Sequence, residues 1–207
     1  MGRLRAFACI VGAVFVVASA WGIVSPNVAA QQAHTNVVGV VDFYAPSPLP
    51  TFACCSGLIP ERFAADNLSD LLLHGGNERF TVVPRGAMQK AQREMHWQGA
   101  DVLNFGRMLQ LAQAVGADRL VVGWILLLDV VPEGGSATVE GGGPLYSDVR
   151  VVVQVFDGTL GRLVGEAHAE KLAVPTVNPT QGAELALHLA LQDTVPVVLR
   201  VLQPQGL

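Results

Sequence analysis

The tightest constraint on the fold is the order in which the hydrophobic pattern changes its period along the chain. Asn36–Phe43 (NVVGVVDF) is a short β-branched run bounded by turn residues, the pattern of a buried strand. Next, Ala64, Leu68, Leu71 and Leu72 fall at helical spacing, predicting a helix over Glu61–His74 that Gly75 and Gly76 stop. Phe80–Val83 (FTVV) reads as a second short strand. Pro84 then suits the first turn of a helix running to Met95, with Met88, Ala91 and Met95 on one side. A further helix over Val102–Val115 places Phe105, Met108, Leu109, Ala112 and Val115 on one stripe and ends at Gly116. After it the period changes for good. Arg119–Val131, Leu145–Phe156 and Leu163–Val174 are three strands in succession, the last two joined by the turn Asp157-Gly158-Thr159-Leu160-Gly161. A final helix opens at Asn178-Pro179-Thr180-Gln181, a cap, a first-turn proline and a capping-box glutamine. It runs to Leu202, and Pro196 inside it predicts a kink.

The order β-α-β-α-α-β-β-β-α admits few folds. Strands separated by helices pair in parallel through crossovers, and strands in direct succession form an antiparallel meander. The expectation is an α/β domain with a mixed sheet of about five strands, flanked by helices. With 51% hydrophobic and 14% charged residues the chain buries enough apolar surface to fold, which excludes a disordered chain. No internal repeat and no second domain boundary interrupts residues 31–207.

The first thirty residues are an address. Arg3 and Arg5 precede an uncharged stretch from Ala6 to Val24, which ends in Val28-Ala29-Ala30. That is the layout of a signal peptide, with cleavage expected after Ala30 and Gln31 as the new N-terminus. Retention as an anchor is the alternative, because the apolar run is long enough to span a bilayer. Cys9 lacks a lipobox context, so no lipidation is expected. After cleavage no integral membrane span is expected, since Arg119–Val131 is too short and carries Arg119 and Asp129. The exported chain belongs in the periplasm or outside the cell.

Charge and motifs exclude several function classes. Lys and Arg number 13 against 17 Asp and Glu, with no basic stripe, so nucleic acid is not an expected partner. The phosphate-binding GxxxxGK[ST], HExxH, GxSxG and CxxC patterns are all missing, and no catalytic residue, cofactor or metal is assigned. Glu166, His168 and Glu170 alternate along the last strand. Same-face neighbours there lie roughly 6.8 Å apart, too wide for all three to ligate one ion directly, and the pattern reads as a solvated strand face. Asp42 ends the first strand, where α/β folds often place a ligand crevice, and Asp66, Asp70 and Asp118 are the carboxylates that a cluster with it would draw on. His74, His96 and His188 have no evident partner in the sequence. Gly141-Gly142-Gly143 precedes no helix and has no lysine nearby, so it does not read as a phosphate cradle.

The segment Ala45–Pro60 contains Pro46, Pro48, Pro50 and Pro60 and is a loop. It holds Cys54 and Cys55, the cysteines that remain after cleavage. Adjacent cysteines form a strained ring, bridge to another chain, or stay as thiols.

Several of these segments resemble one family group. Val38–Phe43 (VGVVDF) is similar to the opening strand of CsgG-like and TolB N-terminal-like envelope domains. Phe80–Arg85 (FTVVPR) with Gly86–Glu94 is similar to their F-x-V-V-x-R strand and the helix after it. Leu111–Gly123 (LAQAVGADRLVVG) resembles their helix–strand joint, and Val153–Gly161 (VQVFDGTLG) their hairpin, with Leu160 inserted. The group includes LpoB-type activators of penicillin-binding proteins. The resemblance spans about Val37 to Leu202 and implies a non-catalytic envelope module for protein interaction or assembly. Its partners would be envelope proteins, with self-association a further option. It also implies that Gly116-Ala117-Asp118 and Gly123 build the fold. This chain departs from the group in lacking the lipobox of the curli lipoprotein and the activators and the propeller of full TolB, and a curli-type channel is disfavoured. The expected partner surfaces are the glycine-rich Pro132–Pro144 and the proline-rich loop, with Tyr44, Leu49 and Phe52 exposed and Cys54 and Cys55 shaping the loop. The alternative is a periplasmic domain binding a small molecule or metal, or acting as an enzyme, through Asp42 and the Cys54–Cys55 loop.

Overall fold

A computed structural model describes residues 36–47, 49, 58–76, 79–132, 145–176 and 178–203. The element order is β1 (Asn36–Val40), α1 (Pro60–Gly75), β2 (Phe80–Val82), α2 (Arg85–Glu94), a 3-10 turn (Gly99–Leu103), α3 (Phe105–Val115), β3 (Arg119–Pro132), β4 (Leu145–Asp157), β5 (Arg162–Thr176) and α4 (Pro179–Leu202). The five strands form one sheet in the order β2-β1-β3-β4-β5. β1 lies parallel to β2 and β3, while β3–β4 and β4–β5 are antiparallel. The mixed α/β sheet expected from the sequence is the one observed.

Strand alternation sorts the side chains into two cores. Val38, Val40, Val121 and the run Val149, Val151, Val153, Val155 face α1 and α4. Val41, Leu120, Val122 and Phe156 face α2, the 3-10 turn and α3. Phe156 follows the alternation of β4 onto the second face, and the register shift between Val155 and Phe156 leaves the extra residue, Val164, in β5. Helix α4 buries Ala183, Ala186, Leu187, Ala190, Leu191 and Val198, a stripe at helical spacing rich in alanine that lets it lie close on the sheet. Its length and apolar character alone would suit a membrane crossing, but part of that stretch is core of this domain. The helix continues through Pro196 to Leu202, and Asn178 caps its start by accepting from the N–H groups of Thr180 and Gln181.

Two expectations need correction. The helix read as Val102–Val115 is broken at Asn104, whose side chain accepts from the N–H of Arg107 and starts α3 afresh. A short amide side chain competes for backbone groups in this way and favours a cap over a helix interior. The break turns the stripe, so Met108, Leu111 and Ala112 are buried while Phe105 is 48% exposed, against Phe156. Pro84 stands one position earlier than expected, as the N-cap of α2, where its carbonyl accepts from Ala87 and Met88.

Gly116 and Gly123 differ in why they are glycine. Gly116 has φ +64° with open space where a Cβ would go, so its constraint is conformational. A Cβ on Gly123 would run into the ring of Phe43, so its constraint is packing. Phe43 lies across β3 there because the chain beyond β1 continues to pair: Tyr44 donates to Gly123 O and its carbonyl accepts from Ile125 N.

Candidate functional site

The C-terminal end of β1 is where the chain leaves the sheet, and an open cleft of about 560 Å³ lies there. Its floor is Asp42–Ala45. One wall is the start of α1 (Ile59, Glu61, Arg62), and the other is the second half of α2 and the corner after it (Gln89, Gln92, Arg93, His96, Trp97, Gly99). The volume lies in the range of small-molecule sites.

Asp42 is fastened to the scaffold. Arg85, the last residue of FTVVPR, donates from Nε to Asp66 on α1 (2.6 Å), from one terminal nitrogen to Val40 O (2.6 Å), and from the other to Asp42. One guanidinium thus joins the end of β1, α1 and α2, using the planar fork that lysine lacks. Two of the four carboxylates singled out in the sequence, Asp42 and Asp66, therefore meet across Arg85. Asp118 is elsewhere, at the start of β3, accepting from Val37 N at 2.7 Å. Asp70 is exposed on α1, its carbonyl bonded to His74 Nδ1. His188 pairs with Asn67 at 3.0 Å. On β5, His168 lies 2.5 Å from Glu166, which also accepts from Gln154, and Glu170 pairs with Arg150. Glu166, His168 and Glu170 are all exposed.

The corner at residues 95–101 was missed by sequence reasoning. Trp97 donates its N–H to Gln92 O (2.8 Å) and His96 to Arg93 O (3.1 Å), the paired bonds of a Schellman ending for α2. The residue after the cap in that motif must be left-handed, and His96 takes φ +51° where glycine is usual. Helix α3 ends with the same two bonds, Ala117 N to Ala112 O and Gly116 N to Gln113 O, but with glycine at the left-handed position. The motif normally brings an apolar side chain on the helix against one just past it. Here those places are held by Gln92, 6% exposed, and Trp97. Gln92 Oε1 and Trp97 Nε1 are both buried without a hydrogen-bond partner among the described residues. A buried polar group left unpaired costs about 1–3 kcal/mol.

Arg107 fixes the corner in place. It donates to Met95 O (2.7 Å) and Asp101 (3.1 Å), and its guanidinium lies 5.9 Å from the Trp97 ring centre. Burial pushes the Asp101 carboxyl up, but the Gln98 N–H and the bond and charge of Arg107 outweigh it and hold the group below its usual range. Gly99 completes the fit, since a Cβ there would come within 2.7 Å of the Tyr44 ring.

The residues expected to contact a partner are thus placed unevenly. Tyr44 is half-buried, bridged to Trp124 of β3 with its ring against Gly99, and Leu49 is partly buried against the first core cluster; neither is exposed as expected. Both are drawn inward because their apolar surface finds core beside the strand end. Phe52, Cys54 and Cys55 lie outside the described residues, as do the signal segment and most of Pro132–Pro144. Ile59, at the return of the loop, is apolar and 51% accessible.

No protein family matches the chain, and no curated protein matches its sequence. Solved structures do match in fold. A hypothetical protein from Chlamydia trachomatis, CT253, superposes with a TM-score of 0.50 at 12% identity, covering 81% of this chain and 98% of that one. The PelC dodecamer from Paraburkholderia phytofirmans gives 0.47 at 15% identity, covering 82% and 90%. The C-terminal domain of LpoB from Salmonella enterica gives 0.40 at 15% identity, covering 66% and 82%. At these identities the likeness is one of fold.

Proposed function

We propose that the chain is an exported, non-catalytic protein-interaction module of the bacterial cell envelope, released after Ala30 into the periplasm or beyond. It docks a protein partner with the face at the end of β1, where the loop from Ala45 leaves the sheet and returns at Ile59. The observation that carries this reading is the anchoring of Asp42. The carboxylate best placed for chemistry is held by Arg85 as part of the scaffold, while the loop is hung between two rigid attachment points, Tyr44 on β3 and the start of α1. Loops on such scaffolds carry variable binding function. The likeness of FTVVPR and GADRLVVG to envelope assembly domains supports the same class of role. Cys54 and Cys55 shape the loop without performing chemistry, and a second copy of the chain is one admissible partner.

Affinity capture from crosslinked envelopes tests this. Deleting Pro46–Phe52 is expected to abolish capture of the partner with an unchanged circular dichroism spectrum, and replacing both cysteines by serine to weaken it modestly. Equal capture by the deletion variant would make the loop a passive connector.

A further inference from the structure

We infer that Lys171 guards the outer edge of the sheet, keeping β5 from pairing with the β5 of a second copy of this chain. The inference is independent of the docking face at the end of β1 and concerns other residues. The sheet has two outer strands of very different length. β2 has three residues and offers little backbone to a newcomer, whereas β5 has fifteen, and among the described residues only β4 pairs with it. A long outer strand presents a row of N–H and C=O groups on which another strand can form. Both ends of β5 are poorly suited to that. Register shifts against β4 leave an extra residue at Val164 and another between Lys171 and Val174, and Pro175 has no N–H to give. The regular stretch between the shifts is Gly165–Lys171, seven residues in unbroken register with β4.

In that stretch Gly165, Ala167, Ala169 and Lys171 stand opposite Val155, Val153, Val151 and Val149, on the face that α4 covers. Gly165 is small because α4 lies close, and a Cβ there would run into Val201. Lys171 breaks the apolar row, although its neighbour Val149 is fully buried. Its Nζ reaches Asp193 on α4 at 2.6 Å, with the two side chains 31% and 52% exposed. An ion pair so open to water adds little to stability, so folding alone does not account for the lysine. A charge on the inward side of an outer strand does act on association. A strand laid against β5 would strip water from the ammonium group and from Asp193 beside it. The outward row shows which strand has to be kept off. Glu166, His168 and Glu170 are exposed there, and the row is self-complementary. With Ala169 opposite its counterpart in an antiparallel pair, His168 of each copy faces Glu170 of the other.

The test compares Lys171→Met, which keeps an apolar stem and loses the charge, with Lys171→Arg, which keeps the charge. Sedimentation velocity over a concentration series of the purified protein reads association, amide hydrogen exchange locates it, and circular dichroism checks each fold. Lys171→Met is expected to shift to a larger species than the wild type as concentration rises. Exchange over Gly165–Lys171 is expected to slow at the concentrations where the shift occurs. Lys171→Gln, neutral but polar, is expected to shift in the same direction by less, and serves if the methionine variant does not fold. Lys171→Arg is expected to sediment as the wild type does, and so is Asp193→Asn, which removes the ion pair and leaves the lysine charged. Neutral variants that sediment like the wild type at every concentration would overturn the assignment. So would association without slowed exchange over Gly165–Lys171, or equal association by Lys171→Arg or Asp193→Asn.

Discussion

Single residues carry the joints of this molecule, and their costs separate by mechanism. Arg85 is largely enclosed and satisfies two carboxylates and a strand-end carbonyl. Arg85→Met is expected to lower stability by about 2–3 kcal/mol in urea denaturation, because it leaves Asp42 and Asp66 facing each other and Val40 O without that donor. The left-handed positions after α2 and α3 provide a matched pair. Gly116→Val is expected to cost roughly 1 kcal/mol or more from backbone strain alone, since nothing lies where its Cβ would go. His96→Gly is expected to gain roughly 1 kcal/mol for the same reason in reverse. If Gly116→Val kept its melting temperature but lost a partner, the glycine would belong to an interface and not to the helix ending. Gly123→Ala acts differently, by driving a methyl into the Phe43 ring, and is expected to cost about 1–3 kcal/mol. Phe43→Leu should recover part of that loss, which would show that the two residues share one space.

Among the elements, caps and the corner after α2 decide what stays in place. Asn178→Ala is expected to cost about 1 kcal/mol by freeing the N–H groups of Thr180 and Gln181. The Asp101–Arg107 clamp adds a dependence on pH. A carboxyl held below its unfolded value stabilises the fold above that value, about 3.9, and loses the contribution as pH falls through the lower, folded value. Asp101→Asn should therefore be less stable than wild type at pH 7, and the gap should close below about pH 4. A gap that persisted at acid pH would mean that the Asp101 carboxylate's charge is not what matters. Element types were legible in the sequence because the apolar periods are long and clean: β3, β4 and β5 fall within a few residues of their expected bounds. The 3-10 turn was not, because Val102 and Leu103 continue a helical pattern and only the cap geometry of Asn104 reveals the break.

For the whole molecule, topology was legible and the site was only half so. The order of periods leads directly to a mixed sheet, and Asp42, read at a strand end, lies beside the cleft there. What could not be read was which residues join Asp42 there. Arg85 stands 43 positions away, and its role follows from three elements converging. Gln92 and Trp97 look like ordinary helix-end residues until the Schellman bonds fix their neighbourhood; a histidine where glycine would normally end the helix was the available signal. Tyr44 and Leu49 were read as exposed because a proline-rich loop shows no periodic face, yet both find core beside the strand end. The export expectation is tested by intact mass: the native protein should begin at Gln31 without lipid, and a full-length mass in the membrane fraction would instead mean an anchored chain.

The central claim, that the face at the end of β1 is where a protein partner docks, is tested most directly by photo-crosslinking in intact cells. A crosslinking residue is placed at Ile59, exposed where the loop returns, and separately at Leu185, exposed on α4. The account predicts one dominant crosslinked protein from position 59, lost when Pro46–Phe52 is deleted, and no such product from position 185. The same product from both positions, or from position 185 alone, would contradict it.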